Sequence, residues 1–408
     1  MNLEIRPCRS DEIKHYLVTC EAAFGIDIKD EHVDRLAALI EPERTLAAYE
    51  NGAMVGTTGA YRFTYSVPGG ELPAAGVTFT GVLPSHRRRG VLTALMRRQL
   101  DDVRAWNEPI AVLWASEGTI YQRFGYGMAT QQAAIDIERH HVRFRDPSAP
   151  RARATFLSEE ESVKSIGDVY EEIRRGTPGM FARSEAWWRN HRLADPAEDR
   201  EGAGPLFRVL FELDGHPSGY ALYRVRNSWG DDGLPIGDVE VLEAMAVDGP
   251  STREMWMYLF GVDLVARLKS YFLPADHPLK WLLVEPRRLR ANVRDAVWLR
   301  VVDLPGALAG RGFLNDGSIV FDFRDDFCSW NAGVWRLDVS KGRGHAERSN
   351  QEPHVSLGGE ELGAVYLGGA TFAELARAGR VRELKRGGLR ALDSLFAADV
   401  VPWCPEIF

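Results

Sequence analysis

Apolar and polar positions alternate between two periods along the first part of the chain. Residues 11–24 and 30–39 read as helices. Residues 45–50 and 53–66 read as strands folded about Asn51-Gly52, a dipeptide suited to a tight hairpin turn. A strand runs through Val77-Thr-Phe-Thr-Gly-Val82 and stops at Pro84. After Gly90 an apolar stripe of Leu92, Leu95, Met96, Leu100 and Val103 recurs at helical spacing, so this helix packs on one side. An apolar strand over 110–115, a helical turn through Tyr121, Phe124-Gly-Tyr-Gly127 and a strand over 130–138 complete the unit. Such alternation predicts an α/β layer structure.

The Pro- and Arg-rich stretch 143–153 reads as a boundary. Helices follow over 159–175 and 184–191, then strands over 206–213, 219–225 and 239–247, then Asp-Gly-Pro-Ser and a helix from 252. This repeats the strand–turn–helix order of the first unit without its arginines, which predicts a degenerate duplicate that keeps the fold and lacks the anion site. From about 299 the character changes to short strands (318–323, 333–339, 354–357) followed by helices (358–366, 371–378, 389–398), a small α+β domain. The expected domains are therefore 1–145, 146–295 and 296–408. The last of them ends in Pro402-Trp-Cys-Pro-Glu-Ile-Phe408, a tail too apolar to fray in water and expected to dock.

Composition narrows the class. A chain of 408 residues exceeds one ordinary core, and 45% hydrophobic with 26% charged residues is the balance of a globular protein. A formal charge of −8 argues against general nucleic-acid binding. Cys8, Cys20, Cys328 and Cys404 have neither metal-ligand nor redox spacing. No apolar run approaches the ~20 residues of a membrane span and no apolar signal core is present, so the cytoplasm is expected.

The candidate chemistry lies in Val77–Val82 and the following His86-Arg-Arg-Arg-Gly90. A strand, a basic glycine turn and a helix start together build an anion pocket, because the first N–H groups of a helix lack internal partners and its dipole favours negative charge. A solvated arginine surface is the plainer alternative; the packed stripe behind Gly90 fixes the helix start and favours the cradle. An acyl donor carrying a pyrophosphate suits it better than a plain sugar or lipid. Glu159-Glu-Glu161 and Trp187-Trp188 read as a solvated helix face and core aromatics, and His140-His141 has no ligand spacing.

His86-Arg-Arg-Arg-Gly90-Val-Leu, Ala115-Ser-Glu-Gly118 and Ile120-Tyr-Gln-Arg-Phe-Gly-Tyr-Gly127 resemble the GNAT N-acetyltransferases, and most closely their enhanced intracellular survival (Eis) branch. The likeness extends through Gly219–Arg224, Val297–Pro305, Tyr366–Gly369 and Phe408, almost the whole chain. Leu92 stands where the broader GNAT pattern has a small residue, a departure that branch tolerates. The resemblance implies two tandem GNAT domains, the first catalytic and the second degenerate, followed by a domain like sterol carrier proteins. It implies a homohexamer, acetyl-CoA as the acetyl-donor cosubstrate and no metal. The implied acceptors are aminoglycosides, polyamines or lysine side chains, which a wide, acidic cavity would suit. Residues 23–27 and Glu406 are candidate contributors to that cavity.

Site roles follow from the same likeness. Thr80, Gly81 and Val82 are expected to bind the pantetheine arm edgewise, and an N–H of that strand to polarise the thioester carbonyl. Arg88, Arg89, Gly90, Val91, Leu92 and Thr93 are expected to hold the pyrophosphate, and Ser116 and Glu117 to line the cleft. Tyr121 is implied as the general acid and the C-terminal carboxylate of Phe408 as the general base. A phenol with a pKa of about 10 can protonate a leaving thiolate of about 8.5. Tyr126, between Gly125 and Gly127, is the rival acid and is read as structural. The plainer readings make Tyr121 a packed aromatic, Glu117 a helix cap and the tail core packing. The alternative function is a non-catalytic carrier of CoA or an apolar ligand, and a longer acyl group such as propionyl is a further possibility.

Overall fold

The computed structural model describes residues 3–408. Chain order gives β1 (Leu3–Arg6), α1 (Ile13–Phe24), α2 (Asp30–Ala37), β2 (Thr45–Glu50), β3 (Ala53–Val67) and β4 (Gly70–Val82). Then come α3 (Val91–Ala105), β5 (Ile110–Trp114), α4 (Gly118–Tyr121), β6 (Gly127–Met128) and β7 (Gln131–Glu138). The later strands are β8 (Arg153–Phe156), β9 (Phe207–Leu213), β10 (His216–Arg226), β11 (Asp238–Ala246), β12 (Arg267–Pro274), β13 (Asn292–Asp295) and β14 (Val297–Val301). The β2–β3 hairpin turns at Asn51 and Gly52 with φ of 52° and 81°, the left-handed pair that a two-residue turn requires.

The strands form a seven-stranded sheet in the order β1-β2-β3-β4-β5-β14-β6 and a second in the order β13-β7-β12-β11-β10-β9-β8. Two strands cross between the units. β7, expected to close the first domain, pairs with β12 and β13 in the second sheet, while β14, expected near the third domain, lies antiparallel between β5 and β6. The exchange is pinned where the chains meet: Val297 N–H donates to Thr130 Oγ1 at 2.9 Å, and Ala129 and Thr130 N–H donate to the Val297 carbonyl. Periodicity along one segment cannot reveal which sheet receives it.

The third unit is a five-stranded sheet with helices Gly359–Val365, Phe372–Arg377 and Gly388–Phe396, plus a strand, Arg343–Arg348, that the sequence reading lacked. It shares one core with the first unit, in which Phe63, Phe181 and Leu299 pack with Phe321, Val365 and Cys404. The expected helix over 184–191 is shorter, Glu185–Trp187, and continues as a wide π turn over Trp188–Arg192. No described helix is long and apolar enough to cross a membrane.

Candidate active site

The site begins with a defect in β4. The β3–β4 ladder runs Gly59↔Thr78 and then Thr57↔Gly81, so Phe79 and Thr80 together face Thr58 alone. Phe79 takes a φ of 51°, rare for an aromatic residue. The bulge is held by two hydroxyls: Thr57 Oγ1 donates to the Phe79 carbonyl at 2.8 Å, and the Thr58 and Thr80 hydroxyls bond at 2.8 Å. On its other edge β4 pairs with β5 in parallel only from Ala74↔Ile110 to Gly76↔Val112. Beyond Gly76 the strands part, leaving the rest of the β4 edge to form the wall of a cleft of about 740 Å³.

Thr80, Gly81, Val82, Arg88, Gly90, Val91, Leu92, Thr93, Ser116, Glu117 and Tyr121 all line this cleft, as the sequence reading expected. Gly90, at φ 84°, is the N-cap of α3, and a Cβ there would have open space; its left-handed backbone makes glycine the fitting residue. No side chain caps the helix, and its first internal bond runs from Ala94 N–H to the Gly90 carbonyl at 3.0 Å. The N–H groups of Val91, Leu92 and Thr93 therefore have no partner within the helix. With exposed Arg88 and the unpaired edge of β4, these donors fit a pyrophosphate and an amide-bearing arm.

Two arginines of the run have other tasks. Arg89, expected in the cradle, bonds Glu50 at 2.7 Å and does not line the cleft. Arg87 donates to the Val82 carbonyl at 3.1 Å and to the Ala23 carbonyl, tying α1 to β4. His86, Arg87 and Arg123, each inside a quoted motif but given no site role, also line the cleft, and Ala23 and Phe24, expected beside the acceptor cavity, line it too. The charge of Arg123 beside Tyr121 and the place of His86 at the head of the basic turn were the available signals; the approach of Ala23 and Phe24 depends on tertiary packing.

Tyr121 ends α4 and is 5% exposed. Burial pushes its phenol up to about 12, with the Thr80 hydroxyl working the other way, so it is protonated throughout the neutral range. Tyr126 packs edge-on at 6.0 Å between ring centres, and its buried hydroxyl has no partner among the described residues and no place on the cleft wall. Glu117 precedes α4 without capping it.

The tail returns to the first unit. Trp403 N–H donates to the Pro178 carbonyl at 2.8 Å, and a Cβ on Gly179, at φ 102°, would stand 2.6 Å from the Trp403 carbonyl oxygen. Buried Glu406 pairs with Arg183, which also grips Glu243 through bonds of 2.9 and 2.7 Å; Trp187 Nε1 donates to Glu406 at 3.2 Å. Burial opposes the charge of Glu406, but Arg183, with His191 beside it, holds its carboxyl below the usual range. The Phe408 ring lies edge-on to Phe63 at 5.0 Å. Phe408 lines a second hollow of about 300 Å³ on the other side of the bulge, with Tyr61, Thr78, Phe79 and Glu406. Its lining carries one acidic side chain, Glu406, which is paired with Arg183. Lining neither cavity, Glu138, His140 and His141 bring three donor atoms within 4.8 Å of one another, a proximity that their spacing did not suggest.

A bulged strand parted from its neighbour beside an uncapped helix start defines a GNAT acetyltransferase domain. Residues 4–129 match an acetyltransferase (GNAT) domain, 179–301 a second, and 304–405 a sterol carrier protein domain. An uncharacterized N-acetyltransferase of Streptomyces coelicolor is 40% identical, covering 100% of both chains. The N-acetyltransferase Eis of Mycobacterium tuberculosis is 33% identical over 82% of this chain and 81% of its own. Eis1 of Mycobacterium abscessus, a crystal structure, superposes with a TM-score of 0.84 at 32% identity, covering 100% of each chain. The chain belongs to the Eis family of N-acetyltransferases; it is an acyltransferase of the class that uses acetyl-CoA as cosubstrate.

Proposed function

We propose that the chain transfers acetyl from acetyl-CoA to a primary amine, with Tyr121 as general acid and the C-terminal carboxylate of Phe408 as general base. One observation carries this reading: the β4 bulge is a partition, with Thr80–Val82 on the cradle side and Thr78–Phe79 on the side of the tail. Acetyl-CoA supplies the activated acyl group. Arg88 and the open N–H groups of Val91–Thr93 hold its pyrophosphate, and the free edge of β4 holds its pantetheine arm. The Phe408 carboxylate, through water, takes one proton from the acceptor ammonium. The nitrogen then bonds the acetyl carbon as the C–S bond breaks, Tyr121 gives its proton to the departing sulfur, and the second proton lost by the nitrogen as it becomes an amide restores the Tyr121 phenol by way of solvent.

The resemblance supplies aminoglycosides, polyamines and lysine side chains as candidate acceptors, a homohexamer as candidate assembly and the cytoplasm as compartment. Tyr121→Phe and removal of Phe408 test the roles. Each is expected to lower kcat by about 10²-fold while acetyl-CoA binding persists. Near-normal turnover in both variants removes the assignment.

A further inference from the structure

Two neighbouring histidines follow the strand that crosses into the second sheet. Glu138 closes β7, and Arg139–His141 form a tight 3-10 turn after it. On a strand, side chains one position apart point to opposite faces. The turn removes that separation, and the His140 and His141 rings lie with centroids 3.9 Å apart at an angle of 45°. Arg139 fixes the turn. Its N–H donates to the Ala266 carbonyl at 2.8 Å, and its guanidinium donates to the Phe260 carbonyl at 3.1 Å and to Asp263 at 2.7 Å.

The donor atoms converge on one point. Glu138 Oε2 stands 3.6 Å from His140 Nε2 and 3.3 Å from His141 Nε2, and one ligand atom from each residue lies within 4.8 Å of the others. A tetrahedral ion with bonds of about 2.0–2.1 Å holds its ligands about 3.3–3.4 Å apart. The other carboxylate oxygen is engaged: Oε1 accepts from Arg290 Nη2 at 2.7 Å, with Arg267 Nη1 at 3.9 Å. These arginines leave Oε2 to the imidazoles, as outer partners orient the ligands of a metal. Their charge opposes a cation, but salt screens it at this exposed edge.

A simple ion pair does not account for the arrangement. Two imidazolium rings 3.9 Å apart would repel each other and the arginines, yet both nitrogens turn to the same oxygen. Neutral imidazoles sharing an ion with the carboxylate meet no such conflict. Two imidazoles and one carboxylate suit zinc and its neighbours, whereas calcium and magnesium favour oxygen alone. We propose that Glu138 Oε2, His140 Nε2 and His141 Nε2 bind one divalent ion of the zinc class, with its fourth position open to water. The three residues line neither the cleft nor the tail-side hollow, so the ion clamps the end of β7 and takes no part in acetyl transfer.

The test is calorimetric titration of the untagged full chain with Zn²⁺ at about pH 7.5, where imidazole is the neutral ligand, in excess Mg²⁺. One Zn²⁺ per chain is expected with a Kd of about 10 µM or tighter, short of the closed four-ligand sites of zinc fingers. His140→Ala and His141→Ala are each expected to weaken it at least about tenfold. Acetyl-CoA affinity, measured separately, should be the same in all three proteins and reports that the variants fold. The side chain of His140 is 70% exposed, so its removal tests the site even where His141→Ala disturbs the turn. Binding weaker than that Kd, or parental Zn²⁺ affinity in a folded variant of either histidine, overturns the inference.

Discussion

The two tandem units differ where their likeness is greatest. In each, a central strand pairs in parallel with the next and then departs from it: β4 with β5 as far as Gly76↔Val112, β11 with β12 as far as Val241↔Ser270. In each, a helix follows the central strand. The first helix opens at Gly90 with no side-chain cap, beside Arg88. The second, Gly249–Phe260, is capped by Asp248, whose carboxylate accepts from Ser251 N–H at 2.7 Å. The groove around it, about 590 Å³, is walled by Asp168, Glu172, Asp214 and Asp248. A carboxylate thus occupies the place where a phosphate would bind, and its neighbours repel one. Cap chemistry, rather than the fold, separates the cradle from its duplicate.

Gly90→Asp breaks this contrast most severely, because it places the second unit's carboxylate type at the first unit's helix start. The charge opposes the pyrophosphate, and the left-handed backbone adds about 1 kcal/mol of strain. Acetyl-CoA affinity is expected to fall by about 10²-fold or more in calorimetry, with the far-ultraviolet spectrum unchanged. Affinity within about threefold of the parent would mean that the cap does not distinguish the units.

The arginine run sharpens the contrast at smaller cost. Arg88→Ala is expected to weaken acetyl-CoA binding by about tenfold, the size of one charge-assisted contact. Arg89→Ala should change it less than about threefold, since that guanidinium is engaged with Glu50 at 2.7 Å. Equal losses in the two variants would place both arginines on the phosphate.

Much of this was legible in the sequence, because the helix stripe behind Gly90, the Asn51-Gly52 hairpin and the apolar tail each have a local cause. The family resemblance then supplied the cradle and acid residues, and eleven of them share one cleft, Thr80 to Val82, Arg88, Gly90 to Thr93, Ser116, Glu117 and Tyr121. The orientation of Arg89 was not legible, since its partner Glu50 lies on another strand. Neither was the exchange of β7 and β14 between sheets, because both have the same apolar alternation whichever sheet receives them. Glu406 was singled out, but its neutralisation by Arg183 depends on a tail folding back across the chain.

That ion pair shows what the second unit still contributes. Arg183 and Glu243, buried beneath the tail, hold the segment that ends in Phe408. Glu406→Gln is expected to cost about 1–3 kcal/mol of stability and several-fold in kcat, without changing acetyl-CoA affinity. The pH dependence has a definite sign. Arg183 holds the Glu406 carboxyl below its unfolded value, so its stabilisation is complete above the ordinary carboxylate range and is lost as pH falls through it. The stability gap between parent and Glu406→Gln should therefore narrow on acidification below about pH 4. A gap independent of pH would mean that the charge of Glu406 does not hold the tail.

The smallest effect belongs to the second unit's own cap. Removing the Asp248 carboxylate frees Ser251 N–H, and N-cap losses cost about 1 kcal/mol, so Asp248→Ala should lower the melting midpoint slightly. Neither kcat nor acetyl-CoA affinity should change, because Asp248 lines neither the cleft nor the tail-side hollow. The binding stoichiometry is the sharper reading. Opening that helix start reproduces one feature of the cradle, but Asp168, Glu172 and Asp214 remain and no arginine replaces them on the groove wall. Calorimetry should therefore still count one acetyl-CoA per chain. A second equivalent would mean that the duplicate lost its site through a single carboxylate, and that the acidic groove around it has little part in keeping the cosubstrate out.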